Sequence, residues 1–335
     1  MHSGPVRQSL ALSPSPSELL HDELRRVDDT LLRLATSEVE VIQAAARHIL
    51  SAGGKRIRPQ LLLAAARVSG AAPERAIPLA AAVELVHTAT LVHDDIVDDS
   101  DSRRGRTAVQ FHFGNSASVL MGDYLVVRAF RVLADDGDPR LWGILTDTIC
   151  RMCEGEVLQI CVKGDTALDL AGYETVIESK TAILMATCTR FGAMIGTLPD
   201  PQIEALADYG YHVGMAFQIA DDILDFLGDE ESLGKPVGGD LREGKVTLPV
   251  IAALAAASPR EREELLDLYR KPGPLRPEEI RRATELIQAA GGFAAARRRA
   301  REHIHRALTC LEFVPPSQAR DALTHLAEQI VDRDR

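Results

Sequence analysis

Two short stretches of the chain set clustered aspartates inside apolar sequence: Leu91-Val92-His93-Asp94-Asp95-Ile96-Val97-Asp98-Asp99 and Phe217-Gln218-Ile219-Ala220-Asp221-Asp222-Ile223-Leu224-Asp225. Both contain Asp-Asp-x-x-Asp. On a helix, positions i and i+4 share a face, which pairs Asp94 with Asp98 and Asp221 with Asp225. Like charges at that spacing cost a bare helix a few tenths of a kcal/mol, and apolar neighbours make an uncompensated carboxylate costlier. A single cluster of this kind reads equally well as a solvated acidic helix end. Here there are two, each followed by a polar loop rich in cations: Asp99–Gly114 with Arg103, Arg104 and Arg106, and Gly228–Lys245 with Lys235, Arg242 and Lys245. That repetition points to a hard divalent cation between the carboxylates. Mg²⁺ takes oxygen ligands, keeps several waters and typically joins one or two carboxylates to a substrate phosphate.

The rest of the chain is helical in character. Ala, Leu, Glu and Arg dominate its 335 residues, aromatics are only 4%, and no convincing alternating strand is found. Residues 1–17 carry Ser and Pro in alternation and read as a disordered tail, with Ser17 a cap for the first helix. From residue 18 to 335, about a dozen helices are expected in one catalytic domain, separated at glycines and prolines. Those breaks are placed at Gly53-Gly54, Gly70, Gly105, Asp136–Pro139, Gly172, Pro199–Pro201 and Pro272–Pro274. The fold class expected is all-α: a large helical bundle.

A net charge of −11 argues against nucleic acid and against electrostatic adhesion to anionic lipid. It also disfavours a polyanionic substrate unless local cations or metals reverse the field. Five scattered cysteines make no disulfide framework, and the Cys150-x-x-Cys153 pair lacks the further ligands a zinc site needs. No apolar run was expected to reach the ~20 residues of a membrane span, and no signal peptide is recognised, so the protein reads as cytoplasmic.

Cations complete the pattern. Gly53-Gly54-Lys55-Arg56-Ile57-Arg58-Pro59 places three basic residues at the start of an apolar helix, where backbone N–H groups and the helix dipole favour anions. His87 lies two turns before Asp94 on the same helical stripe. A lone histidine there is either a satisfied core residue or a ligand-binding one.

Taken together, the segments GGKRIRP, ELVHTATLVHDDIVDDSDSRRG, GDYLVVRAF, EGEVLQ, ESKTAIL, FQIADDILDF and GKPVGGDLREGKVTLP resemble, in order and spacing, the trans-prenyl diphosphate synthases. The resemblance implies an all-α, isoprenoid synthase-type bundle around a central cavity, usually a homodimer. It implies that Asp94, Asp95 and Asp98 bind a pair of Mg²⁺ ions and that Asp221, with Asp222 and Asp225 near it, binds a third. Arg103, Lys180 and Lys235 would hold the allylic diphosphate, and Lys55, Arg58, His87 and Arg104 isopentenyl diphosphate. Thr181 and Gln218 would line the reacting carbons, with the Lys180 carbonyl and these two side chains steadying an allylic cation. No organic cofactor is implied.

Product length should follow the depth available below the first aspartate cluster. One helical turn rises about 5.4 Å, close to one extended isoprene unit. Thr90, Val86 and Val83 face roughly the side of Asp94, and the family adds Ala89 as a gatekeeper. The small Ala89 and Thr90 leave the path open and favour a chain of roughly six or more isoprene units. Met121, Tyr124, Leu125 and Phe130 on the next helix are bulky enough to close it earlier, which would give a geranylgeranyl-length product. The rival readings are a class I terpene cyclase, which needs no isopentenyl diphosphate site, and a regulatory subunit, in which the carboxylates are usually eroded.

Overall fold

The computed structural model describes residues 16–51, 53–98, 102–103, 106–228, 237–271, 273 and 275–331, with backbone alone at 16–17, 102–103, 106 and 331. The expected tail therefore lies almost wholly outside the described residues. The helices are α1 (Pro16–Leu19), α2 (His21–Leu34), α3 (Glu40–Leu50), α4 (Ile57–Val68), α5 (Pro73–Val97), α6 (Val109–Phe113), α7 (Asn115–Asp136) and α8 (Pro139–Cys161). After α9 (Leu170–Ile177) comes a π-helical turn (Glu178–Ala182), followed by α10 (Ile183–Met194) and α11 (Asp200–Leu227). The chain ends with α12 (Gly239–Arg242), α13 (Leu248–Ala256), α14 (Pro259–Arg270), α15 (Pro277–Ala289), α16 (Gly292–Cys310) and α17 (Gln318–Val331). Among the described residues the sheet content is one antiparallel pair, Ser102–Arg103 with Arg106–Thr107. The fold is all-α, as the composition required.

Small residues set how closely the central helices approach. On α4, Leu61 to Ala66 are all buried, and so are Ala80, Ala81 and Ala82 on α5. Gly192 on α10 packs on α4 so closely that an added Cβ would lie 2.2 Å from the Leu62 carbonyl oxygen. Helix α5 is buried almost continuously from Ala76 to Ala89, the mark of a helix running through a core. It packs most extensively on α7, while α11 packs on α10 and α16. The Arg75 guanidinium reaches both Asp136 oxygens, at 2.8 and 2.9 Å, and so ties the first turn of α5 to the last turn of α7.

Several boundaries differ from the expected ones. Helix α1 begins at Pro16, so Ser17 lies inside its first turn and not at its cap. Gly172 is no break: the Asp169 side chain caps α9 by accepting its N–H at 2.9 Å, and the break falls before Asp169. The long loop after α5 holds the short strand pair and α6, and the loop after α11 holds α12. Helix α5 is also long and apolar enough to cross a membrane by length and composition, with mean hydropathy 1.4 over the window, but 72% of that window is buried inside the fold.

Candidate active site

Helices α5, α7, α8 and α11 and the π-helical turn surround a cavity of about 980 Å³. Asp94 and Asp221 both line it, so the two acidic clusters open into one space. The same lining holds Lys180, Thr181 and Gln218 together with Lys55, Arg58 and His87. Three groups read from distant parts of the sequence thus converge.

The first cluster sits in the last turn of α5, with Asp98 as its C-cap, and the second spans the last two turns of α11. The helix dipole is negative there and adds to the carboxylates' repulsion. Lysines offset it. Lys180 Nζ lies 3.5 Å from Asp94 and 2.6 Å from Glu156, while Lys245 Nζ lies 3.2 Å from Asp98. Burial opposes the charge of Lys245, yet Glu243 and Asp98 hold it above the usual lysine range.

The carboxylates have unequal surroundings. Asp95 is buried, and its backbone carbonyl accepts from the Gln110 amide at 2.7 Å. Asp222 is buried and accepts from the Tyr173 hydroxyl at 2.5 Å and from the Gln218 amide at 2.8 Å. Burial foremost, then the Asp221 and Asp225 charges, pushes it up to about 7 against the pull of those hydrogen bonds. Gln218 in turn accepts from the Thr181 hydroxyl at 2.8 Å, which links the second cluster to the π-helical turn. The Asp225 carboxylate accepts the Asp240 N–H at 2.9 Å, and its carbonyl accepts the Gly238 N–H at 2.7 Å.

In the basic segment Arg56 is an anchor. Its φ of 48° is left-handed, and its guanidinium reaches Asp28 at 2.8 Å, Glu84 at 3.0 Å and the Leu50 carbonyl at 3.2 Å. Pinned there, the turn presents Lys55 and Arg58 to the cavity from either side of it.

Val86, Ala89 and Thr90 line the cavity below Asp94, whereas Val83 is buried elsewhere in the core. Among the described residues, α7 contributes Asp123, Val126 and Val127 to the lining, and Met121, Tyr124, Leu125 and Phe130 are not part of it. Met121 and Leu125 are buried in the core, and Tyr124 donates its hydroxyl to the Thr36 carbonyl at 2.7 Å. The Phe130 ring lies 5.2 Å from that of Trp142.

Among the described residues no three acidic, imidazole or thiol side chains converge into a preformed metal cage. Carboxylates that line one cavity, as Asp94 and Asp221 do, nevertheless suit Mg²⁺, which recruits few protein ligands and completes its shell with water and phosphate.

The sequence profile described as "Polyprenyl synthetase" matches residues 39–287. The chain belongs to the polyprenyl synthetase family. The octaprenyl diphosphate synthase of Escherichia coli strain K12 is 38% identical over 95% of this chain and 98% of its own. A short chain isoprenyl diphosphate synthase of Methanothermobacter thermautotrophicus is 38% identical over 91% of this chain and 95% of its own. The crystal structure of a polyprenyl synthase from Caulobacter crescentus, complexed with calcium and isoprenyl diphosphate, superimposes with a TM-score of 0.91 at 40% identity, covering 96% of this chain and 97% of that one.

Within this polyprenyl synthetase fold, Arg104 and Lys235 lie outside the described residues, and Arg103 is placed only by its backbone in the strand pair. The site also holds residues that the sequence reading gave no role. Glu156 grips Lys180, and Asp123 lies 3.7 Å from His93 on the cavity wall. Tyr173 grips Asp222. Glu156 stands in the quoted EGEVLQ segment, so a carboxylate beside the cavity had a signal; its lysine partner, from another element, had none.

Proposed function

We propose that the chain condenses isopentenyl diphosphate with an allylic diphosphate and releases an all-trans polyprenyl diphosphate. The observation that carries this reading is the meeting of Asp94, Asp221 and Lys180 with Lys55, Arg58 and His87 in one cavity. Lys180, with Arg103 and Lys235, holds the allylic diphosphate; Lys55, Arg58, His87 and Arg104 hold isopentenyl diphosphate. Mg²⁺, held by Asp94, Asp95 and Asp98 and by Asp221 with Asp222 and Asp225, would neutralise the departing diphosphate, with about three ions in all. Fixed cations aimed at that leaving group lower the barrier because they need no reorganisation as charge develops. Thr181 and Gln218 place their oxygen dipoles beside the reacting carbons, and the second basic site holds the nucleophilic double bond within reach. The apolar walls exclude water from the cation.

A long product, roughly six or more isoprene units, is favoured because the α5 positions beside Asp94 that line the path, Ala89 and Thr90, carry small side chains. Ala89, Thr90 and Val86 flank it, and the bulky α7 residues point elsewhere. The working unit is read as a homodimer, because Leu120 on α7 and Val157 on α8 are 65% and 60% exposed, apolar side chains that a second copy would cover. Free, exposed thiols at Cys150, Cys153 and Cys161 fit the reducing cytoplasm.

The reading is tested with Asp94→Ala and Asp221→Ala in a condensation assay containing Mg²⁺. Each substitution should abolish most turnover while the melting temperature stays near that of the unsubstituted chain. Full activity in either variant contradicts the metal assignment.

A further inference from the structure

The π-helical turn Glu178–Ala182 carries both Lys180 and Thr181 into the cavity. The Ile183 N–H donates to the Glu178 carbonyl five residues back, the hydrogen bond that defines a π turn. Such turns are rare, and most occur as isolated bulges inside α-helices. Something must therefore keep this one from relaxing to the α register, which would swing the residues on one side of it around the helix axis.

The flanking helices supply that hold in matched pairs. On α8, Gly155 admits the turn: an added Cβ would lie 2.5 Å from Ser179 Cβ and 3.2 Å from the Lys180 nitrogen. One helical turn earlier, Arg151 reaches Glu178 Oε1 at 2.5 Å. On α11, Gly214 admits the turn from the other side, since an added Cβ would lie 2.5 Å from Ala182 Cα. Three residues earlier, the Tyr211 hydroxyl donates to Glu178 Oε2 at 3.2 Å. Residues three and four apart share a helix face, so each helix presents a polar group and a glycine to the same turn. Glu178 is gripped through both oxygens, outside the catalytic cavity, in a second cavity of about 570 Å³ that Arg151 and Tyr211 also line.

The geometry points to Glu178 as a positioning residue: clamped between Arg151 and Tyr211, it fixes the register of the π turn and so aims Lys180 and Thr181 at the allylic diphosphate. This inference rests on the prenyl-transfer reading. It separates Glu178 from the isopentenyl diphosphate site, because Lys55, Arg58 and His87 lie on other elements. Loss of the clamp should therefore lower kcat and leave the KM for isopentenyl diphosphate unchanged.

The test is steady-state kinetics of the purified full chain with isopentenyl diphosphate, an allylic diphosphate and Mg²⁺, alongside thermal melting of each variant. Glu178→Ala should lower kcat on the order of 100-fold, the scale of a misplaced reacting group, with KM for isopentenyl diphosphate within about twofold. Glu178→Gln, which can still accept from Arg151 and hydrogen-bond Tyr211, should stay within about threefold of the unsubstituted kcat. Tyr211→Phe leaves the Arg151 contact in place and should lower kcat about tenfold without moving that KM. It carries the test if Glu178→Ala does not fold. Unchanged kcat in Glu178→Ala or Tyr211→Phe overturns the clamp, as does a loss that Glu178→Gln shares and that tracks a lower melting temperature. An unsubstituted chain that does not consume isopentenyl diphosphate overturns the prenyl-transfer reading, and the clamp with it.

Discussion

The carboxylate of Asp225 accepts the backbone N–H of Asp240 at 2.9 Å, so the last aspartate of the second cluster anchors the segment that carries Lys245 to Asp98 of the first. Asp221, four residues earlier, lines the cavity itself. Two positions that look alike in Asp-Asp-x-x-Asp therefore differ in what they support.

Asp221→Ala should remove activity and leave the melting temperature nearly unchanged. Asp225→Ala should lower stability as well, by about 1 kcal/mol, because it removes the acceptor of a partly buried N–H. Urea unfolding of both variants checks this. Equal stabilities would show that the Asp225 anchor contributes nothing to the fold.

Ala89 is fully buried and, with Thr90, stands on the cavity wall below Asp94. Ala89→Phe or Thr90→Phe should shorten the product while sparing the first condensations, as read by chromatography of the dephosphorylated prenols. Products of unchanged length would mean that the growing chain does not pass along this face of α5.

His303 is buried on α16 against His212 of α11, at 3.1 Å between Nδ1 atoms. Burial foremost, then Arg299 and His212, pushes it down to about 4, with Glu174 opposing and Arg306 adding to the effect. The folded state thus refuses a proton that the unfolded chain takes up below its ordinary value of about 6.5. Stability from this group is intact above that value and is lost as pH falls toward 4, by up to about 1.4 kcal/mol per pH unit. His303→Gln, which does not titrate, should melt with a shallower dependence on pH between 6.5 and 4 than the unsubstituted chain. Identical pH profiles would exclude His303 as a source of acid sensitivity.

The sequence made the site legible wherever a motif was local. Asp94, Asp221, Lys55, Arg58, His87, Lys180, Thr181 and Gln218 do share one cavity, because helical spacing and segment order constrain which faces can meet. Periodicity identifies a buried face but not what it is buried against. Met121 and Leu125 therefore looked like candidates to close the cavity, although they pack in the core. Arg56 read as one more cation in GGKRIRP; its anchoring role depends on Asp28 and Glu84, each 28 residues away. Likewise, nothing local signals that Glu178 meets Tyr211 across 33 residues, or that the turn between them is π-helical. The cap at Ser17 and the break at Gly172 were misplaced for a simpler reason: serine and glycine are tolerated inside a first turn as well as at a boundary.

The most direct measurement is mass analysis of the prenols made by the purified chain alone from isopentenyl diphosphate, an allylic diphosphate and Mg²⁺. The account predicts all-trans products of roughly six or more isoprene units, formed only when isopentenyl diphosphate and the metal are both present. Products that form without isopentenyl diphosphate, or no consumption of it by the isolated chain, would contradict the central claim.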